Sequence, residues 1–212
     1  MDAVAPRFTT DAVAPLGPDL QERATITLAQ AFSTDPMFAW LFPHPEARAL
    51  ALRRFFRPAL EFGLRYGRVT QSHGGMATAV WLPPGQAMTV GRMVRSGMLS
   101  LPFRVGFRPF ARFVGANETM ERIHKRRVPE PHWYLLLLGV DPQLQGRGLG
   151  SALVHEGLVR ADQANCPGYL ETSEERNLAF YERHGFTVLE TVTLGAGGPR
   201  GWAMRREPQG PR

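Results

Sequence analysis

Several residue types and patterns that would define a class of protein are missing from this sequence. Its 212 residues include one cysteine, Cys166, so no intramolecular disulfide can form and the cysteine-rich zinc motifs are excluded. No run of about twenty apolar residues occurs, and residues 1–15 are neither basic nor apolar enough for a signal peptide. We therefore expect a cytoplasmic protein that does not span a membrane.

Lysine is almost absent, because Lys125 is the only one and the remaining positive charge is arginine. The net charge of +6 would suit an anionic partner such as nucleic acid, a membrane surface or a polyphosphate cofactor. Neither a helix-turn-helix pattern nor an aromatic-and-basic ladder is visible. We expect no nucleic-acid or membrane partner. We interpret the Met- and Phe-rich segment 87–127 as core-packing helices, with a membrane-surface helix and a wall over a substrate site as the alternatives.

The composition is that of a folded protein, with 43% hydrophobic and 21% charged residues. We predict a flexible leader over 1–17, a single domain over 18–206 and a tail over 207–212. The continuous apolar run Trp133–Val140 is typical of a central strand buried on both faces. The other predicted elements are helices at 18–32 and 46–66, a hairpin of strands at 68–72 and 76–82, helices within 87–127, a helix after Leu149, a strand at 169–172, a short helix at 177–183 and strands at 185–194 and 201–205. This order indicates an α/β fold.

A glycine-rich loop, Gln145–Ser151, joins the predicted central strand to the next helix. Free backbone N–H groups at a helix start, together with the helix dipole, bind phosphate groups. A P-loop is excluded because the loop has no lysine, and the dinucleotide fingerprint fails by one position because Gly146, Gly148 and Gly150 are spaced two apart. Glu171 lies about where a ribose-binding acid would lie in a dinucleotide site. Two other interpretations of the loop are therefore kept: a dinucleotide-binding loop, and a glycine-rich helix start that binds no ligand.

Gln145-x-x-Gly148-x-Gly150 resembles the Gln/Arg-x-x-Gly-x-Gly/Ala pyrophosphate loop of the Gcn5-related N-acetyltransferase (GNAT) family. Within that family, the segment His132–Met204 is particularly similar to the puromycin N-acetyltransferases. The runs that carry this likeness are Gly139–Val140, Gln145–Gly150, Leu170–Ser173, Arg176–Leu178 and Phe180–Val188. The resemblance implies a mixed, partly parallel twisted sheet flanked by helices, with a helical insertion before the central strand.

The family resemblance also implies an activity and a set of cofactor contacts. An N-acetyltransferase of this kind transfers the acetyl group of acetyl-CoA to a primary amine of a small molecule, by direct attack in a ternary complex. A non-catalytic acyl-CoA-binding or sensing module is the alternative. The predicted cofactor-binding residues are Leu138, Gly139, Val140, Gln145, Gly146, Arg147, Gly148, Leu149, Gly150, Ser151, Asn177 and Tyr181. Asn177 is interpreted equally well as the N-cap of the helix that follows it.

Two of these side chains are candidates for the chemistry. The family places a tyrosine at the position of Tyr181 beside the CoA sulfur, where a phenol with a pKa of about 10 can protonate the departing thiolate. Glu171, at the end of a strand, is a candidate base for the incoming amine. Phe32, Phe38 and Trp40 are predicted to contact a bulky or amphipathic acceptor such as an antibiotic. No metal site is predicted, and we expect a monomer or a homodimer.

Overall fold

A computed structural model describes residues 12–86 and 90–210. Its strands are β1 (Ala14–Pro15), β2 (Arg68–Ser72), β3 (Ala77–Leu82), β4 (Trp133–Val140), β5 (Gly168–Thr172), β6 (Thr187–Thr193) and β7 (Arg200–Arg206). Its α-helices are α1 (Gln21–Ala31), α2 (Pro36–Leu41), α3 (Pro45–Tyr66), α4 (Val90–Arg95), α5 (Leu101–Val105), α6 (Phe107–Arg127), α7 (Leu149–Gln163) and α8 (Leu178–Arg183). None of the helices in these ranges is long and apolar enough to cross a membrane.

The described strands form one sheet in the order β1-β2-β3-β4-β5-β7-β6. Every neighbouring pair is antiparallel except β4 and β5, which are parallel and are connected through α7. A parallel pair needs such a crossover, whereas the antiparallel pair β2–β3 closes through the short turn at His73–Gly75. The predicted α/β fold with a mixed, partly parallel sheet is confirmed.

Helices cover both faces of the sheet because the side chains of β3 alternate between two cores. Val80 and Leu82 pack in a core with side chains of α1 and α3, whereas Ala79 and Trp81 pack in a second core with side chains of α7. The second contact is very close, since a Cβ added at Gly157 would lie 2.2 Å from the Trp81 ring. The absence of a side chain at Gly157 therefore lets α7 cross directly over β3.

The helical insertion predicted before the central strand is present as α4, α5 and α6; residues 87–89 of the predicted segment lie outside the described residues. The second half of α6 buries Ala116, Met120 and Ile123 in a third core, against Tyr169 of β5 and Ala203 of β7. This half of α6 is the core-packing helix that the sequence predicts. It also places α6 against β5 and β7.

The sheet begins inside the segment that we predicted as a flexible leader. Residues 1–11 of that segment lie outside the described residues, but Ala14 and Pro15 pair with Gln71 and Thr70 of β2, and Leu16 is buried. Two residues carry too little periodicity to predict a strand. The strand forms because the edge of β2 offers unpaired backbone groups.

Candidate active site

The strands β4 and β5 separate toward their carboxyl ends. They pair only where Trp133–Leu135 lies beside Gly168–Leu170, although β4 continues to Val140. Within the described ranges, β4 beyond Leu135 therefore has no strand partner on the side of β5. The pairing of β4 with β3 also shifts here, because Trp81 lies opposite Leu135 and Val80 opposite Leu137. The free edge can accept an extended ligand in the manner of an added strand.

This opening is the reason that one expectation for β4 is wrong. The apolar run predicts burial on both faces, but Leu136, Leu137 and Leu138 are only half-buried and line the opening. Leu135 and Gly139 are buried. A side chain at Gly139 would collide with α1, since its Cβ would lie 2.9 Å from Leu28 Cδ2. The hydrophobic strand thus forms the floor of a cleft.

A cavity of about 930 Å³ occupies this cleft. Most of the residues predicted to bind ligands line it: Phe32, Phe38, Leu138, Gly139, Val140, Gln145, Gly146, Gly148, Leu149, Gly150, Ser151, Glu171, Asn177 and Tyr181. Arg147 and Trp40 are not among the lining residues; Arg147 is exposed on the loop, and the Trp40 ring lies 5.3 Å from the Arg112 guanidinium. The glycine loop, the free edge of β4 and the candidate catalytic groups therefore share one cavity.

The glycine loop depends on glycine at two of its three positions. Gly146 and Gly148 have φ angles of +76° and +84°, which residues with a side chain rarely adopt. Gly150 lies in α7, and a Cβ added there would meet Phe180 at 3.5 Å and Val140 at 3.6 Å, which are ordinary contacts. The backbone shape therefore requires the first two glycines, whereas an alanine would fit at the third.

The start of α7 presents unbonded backbone donors to the cavity. The N–H of Ala152 is the first to bond back along the helix, to the carbonyl oxygen of Gly148 at 3.0 Å. The N–H groups of Leu149, Gly150 and Ser151 precede it, so they have no partner inside the helix, and all three residues line the cavity. Together with the helix dipole, these donors suit a phosphate group.

Tyr181 lies on α8 with its side chain 7% exposed, and it packs against the rings of Phe180 and Phe186. Burial, and then the negative charge of Asp35, raises the pKa of the Tyr181 phenol. Among the described residues its hydroxyl makes no hydrogen bond, and the residue lines the cavity. The phenol is therefore protonated at neutral pH and has its hydrogen available for a ligand.

Asp35 is a cavity residue that the sequence analysis missed. It is the N-cap of α2, where Oδ1 accepts the N–H groups of Met37 at 2.9 Å and Phe38 at 3.2 Å. The hydroxyl of Ser173, 138 positions away, lies 2.9 Å from both carboxylate oxygens. Burial raises the pKa of Asp35 despite these hydrogen bonds. The signal that points to it is Asp35–Pro36 before an apolar stretch, a pattern typical of a helix N-cap.

Glu171 extends from β5 into the same cavity. The Tyr169 hydroxyl donates to Oε1 at 2.8 Å, and the Tyr134 hydroxyl donates to Oε2 at 3.2 Å. Burial raises the pKa of Glu171, and the two phenols and nearby His124 lower it only in part. Glu171 and Asp35 are thus two carboxyl groups of one cavity whose pKa values are both raised by burial.

Two histidines, His124 and His132, contact the rings of these tyrosines. His132 Nδ1 lies 2.7 Å from the carbonyl oxygen of Glu130, which can only accept, so this nitrogen carries a proton. Burial lowers the pKa of His132, which keeps the ring neutral and leaves Nε2 as an acceptor for His124 Nε2 at 2.6 Å. His124 in turn stacks on Tyr169 at 4.1 Å. The histidine pair therefore supports Tyr169, whose hydroxyl donates to Glu171.

Glu171→Gln is expected to raise thermal stability, and more so at higher pH. Because the pKa is raised in the folded protein, the folded state loses stability as the carboxyl ionises with rising pH. Glutamine removes that cost while its amide still pairs with both phenols. Unfolding scans should show no gain near pH 4 and a gain at pH 8 of about 2–4 °C for each kcal/mol recovered. A variant less stable than the wild type at pH 8 would contradict this.

Asn177 precedes α8 and is exposed at the cavity wall. Its side chain makes no capping hydrogen bond to the helix. The helix-cap interpretation of Asn177 therefore has no support in the described structure, and the amide can reach a ligand. Within the described ranges no three His, Cys, Asp or Glu side chains are grouped in a way that could hold a metal ion.

Known proteins share both the sequence pattern and the fold. Residues 110–186 match the model of the acetyltransferase (GNAT) family. An uncharacterized N-acetyltransferase of Schizosaccharomyces pombe is 26% identical over 181 residues, which cover 82% of this chain and 73% of that protein. Both matches are to acetyltransferases, and together they support an acyltransferase.

Two solved structures resemble the whole described fold. Histone acetyltransferase HPA2 and related acetyltransferase from Corynebacterium glutamicum has a TM-score of 0.64 at 22% identity, over 96% of this chain and 99% of that one. A polyamine N-acetyltransferase of Drosophila melanogaster, which forms N-acetylagmatine, has a TM-score of 0.60 at 18% identity, over 92% and 99% of the chains. At these identities the likeness shows that this chain shares the fold of those two acetyltransferases.

Proposed function

We propose that this chain, an acyltransferase of the GNAT type, transfers the acetyl group of acetyl-CoA to a primary amine of a small molecule. One observation carries the proposal: the free edge of β4, the start of α7 and the Tyr181 phenol line a single cavity. An extended pantetheine arm suits the strand edge, and a pyrophosphate suits the helix start. The thioester sulfur would then lie near Tyr181.

The acceptor side of the cavity favours a cationic amine with an apolar body. Asp35 and Glu171 supply two carboxyl groups, and Phe32, Phe38 and Met120 supply apolar surface. The Drosophila enzyme with a similar fold is a polyamine N-acetyltransferase that forms N-acetylagmatine, which supports an amine acceptor. An antibiotic-like acceptor remains a prediction that rests on the sequence likeness to puromycin N-acetyltransferases.

The proposed reaction needs a base, an oxyanion donor and an acid. An ammonium group must first lose a proton, and we assign this proton to Asp35, because Asp35 lines the same cavity as Tyr181 and its charge helps to raise the pKa of the Tyr181 phenol. Glu171, the base predicted from the sequence, is the alternative. The amine nitrogen then bonds to the thioester carbonyl carbon, and a backbone N–H of β4 aimed at the oxyanion would stabilise it by about 3 kcal/mol.

Collapse of the tetrahedral intermediate breaks the carbon–sulfur bond. The departing thiolate takes a proton from the Tyr181 phenol. The nitrogen, positively charged after its attack, loses its second proton to the phenolate, and the proton on the carboxylate goes to solvent, so that atoms and charges balance. A non-catalytic acyl-CoA-binding module would need the strand edge and the glycine loop alone. It would not need two carboxyl groups with raised pKa values and an unbonded phenol in the same cavity.

Cofactor binding is expected to depend on Gly148 and not on Gly150. An alanine at Gly148 would have to adopt φ near +84°, at a cost of about 1–2 kcal/mol, or would change the loop. Calorimetric titration with acetyl-CoA should show affinity about tenfold lower or worse for Gly148→Ala. Gly150→Ala is the matched control, since its methyl group makes only ordinary contacts. Equal loss in both variants would contradict a role for loop geometry.

Thiol release with a panel of amines tests the activity itself. The panel should contain diamines, arylalkylamines, aminonucleosides and a peptide, each with acetyl-CoA and the full chain. Acetyl-CoA-dependent thiol release with at least one small amine is the expected result. Binding of acetyl-CoA without turnover of any amine would favour the binding module. No binding of acetyl-CoA or other acyl-CoAs would overturn the proposal.

A further inference from the structure

A surface corner formed by α3, α5 and α6 combines exposed aromatic rings with arginines. The side chains of Phe103 and Phe107 are 79% and 66% exposed, and their ring centroids lie 5.3 Å apart. Arg104 and Arg108 are exposed beside them in the chain. Arg54 of α3 reaches this corner, because its guanidinium donates to the carbonyl oxygen of Arg104 at 3.2 Å. We call Arg54, Phe103, Arg104, Phe107 and Arg108 the aromatic corner.

The aromatic corner is not required for the core of the domain. Its neighbours Met98 and Leu101 are buried, which anchors the segment, while the two phenylalanine rings project outward. Leu50, one helical turn before Arg54 on α3, is also 53% exposed. Large exposed aromatic side chains in contact with each other indicate a surface that another body covers.

The chain segment that carries Phe103 and Phe107 has charge of one sign. Residues 62–117 contain no aspartate or glutamate. The same segment contains seven arginines: Arg65, Arg68, Arg92, Arg95, Arg104, Arg108 and Arg112. In the described chain, the corner arginines Arg54, Arg104 and Arg108 form no ion pair with an acidic side chain. The corner therefore offers unneutralised positive charge beside apolar rings.

We propose that the aromatic corner docks on an anionic lipid surface. Arginines attract acidic headgroups, and the projecting phenylalanines can enter the boundary between headgroups and acyl chains. A second copy of the chain fits less well, because a symmetric contact would bring the corner arginines against each other. A nucleic acid also fits less well, because the two rings meet at 82° and form no flat surface for stacked bases.

This surface contact does not contradict the absence of a membrane-spanning helix in the described ranges. It corresponds to the membrane-surface helix that we gave as the less favoured interpretation of the Met- and Phe-rich segment 87–127. The second half of α6 packs in the core, whereas the Phe103 ring of α5 and the Phe107 ring at the start of α6 do not. The two interpretations therefore apply to different side chains of the same insertion.

Co-sedimentation of the full chain with vesicles tests the proposal. The vesicles are phosphatidylcholine alone and phosphatidylcholine mixed with phosphatidylglycerol. We expect the wild type to bind the mixed vesicles about tenfold more strongly or better than the neutral ones, and to lose this preference at high salt. Absence of binding to the mixed vesicles at low salt would overturn the proposal.

Matched variants separate the aromatic corner from general basicity. Phe103→Ser with Phe107→Ser, and Arg104→Gln with Arg108→Gln, should each reduce binding to mixed vesicles about tenfold or more. Val188→Ser with Arg122→Gln removes an exposed apolar group and an arginine elsewhere, and it should bind like the wild type. Thermal unfolding and acetyl-CoA titration check that each variant is folded.

Two further outcomes would overturn the lipid assignment. Equal vesicle binding by the control and the phenylalanine variant would assign the attraction to net charge alone. A wild-type dimer in solution that the phenylalanine substitutions convert to a monomer would assign the corner to contact between copies. Neither result bears on the proposed acetyl transfer, which the thiol-release assay measures separately.

Discussion

Asp35→Asn is expected to lower kcat/KM for acetyl transfer by about 10²–10⁴-fold near neutral pH, the usual contribution of a general base. The asparagine oxygen can still accept both backbone N–H groups, because Met37 and Phe38 donate to the same carboxylate atom, Oδ1. Its amide can donate to Ser173 in place of the existing bond. The substitution therefore removes the base and keeps the helix cap. Steady-state thiol release with a reactive amine measures the loss.

The pH profile gives an independent check on Asp35. Burial raises the pKa of this carboxyl group, and a base must be ionised, so wild-type activity should fall as the pH drops through the raised value. This limb of the profile should disappear in the residual activity of Asp35→Asn. Acetyl-CoA affinity should not change, which distinguishes loss of chemistry from loss of the cofactor site.

Glu171→Gln is the matched substitution that decides between the two carboxyl groups. Glu171→Gln removes the same charge as Asp35→Asn, from the same cavity, and it keeps the contacts with Tyr134 and Tyr169. We expect a smaller loss of kcat/KM than for Asp35→Asn. The opposite order would make Glu171 the base, as predicted from the sequence. Full activity of both variants would show that neither group removes the proton.

Tyr181→Phe is expected to lower kcat for thiol release by about 10²-fold or more, since the departing thiolate loses its proton donor. The phenylalanine ring keeps the packing against Phe180 and Phe186. The hydroxyl makes no hydrogen bond among the described residues, so thermal stability should be unchanged or slightly higher. Calorimetry should give the same acetyl-CoA affinity for both proteins.

The leaving group provides a sharper test of Tyr181. An acyl thioester whose thiol is more acidic than CoA needs less protonation, so it should react with Tyr181→Phe at a rate closer to that of the wild type. Because the pKa of Tyr181 is raised, the phenol should cause no decline of wild-type activity up to about pH 9. Wild-type thiol-release activity in Tyr181→Phe would remove this residue from the mechanism.

Local sequence patterns determined the two elements that we propose bind the cofactor, the glycine loop and β4. The glycine spacing at Gly146 and Gly148 predicts a turn that only glycine forms easily, and the φ angles agree. The apolar run Trp133–Val140 predicts the central strand. These features lie within a few residues of one another, so the sequence alone placed the loop between a strand and a helix.

Only the tertiary structure decided where β4 is open and which carboxyl groups lie near Tyr181. Periodicity predicts that β4 is a strand, but it carries no information on where β5 diverges from it. Asp35 and Ser173 are 138 positions apart, and their contact depends on how α2 packs at the end of β5. The exposure of Phe103 and Phe107 also follows from the turn between α5 and α6, because the sequence pattern alone favours burial of such residues.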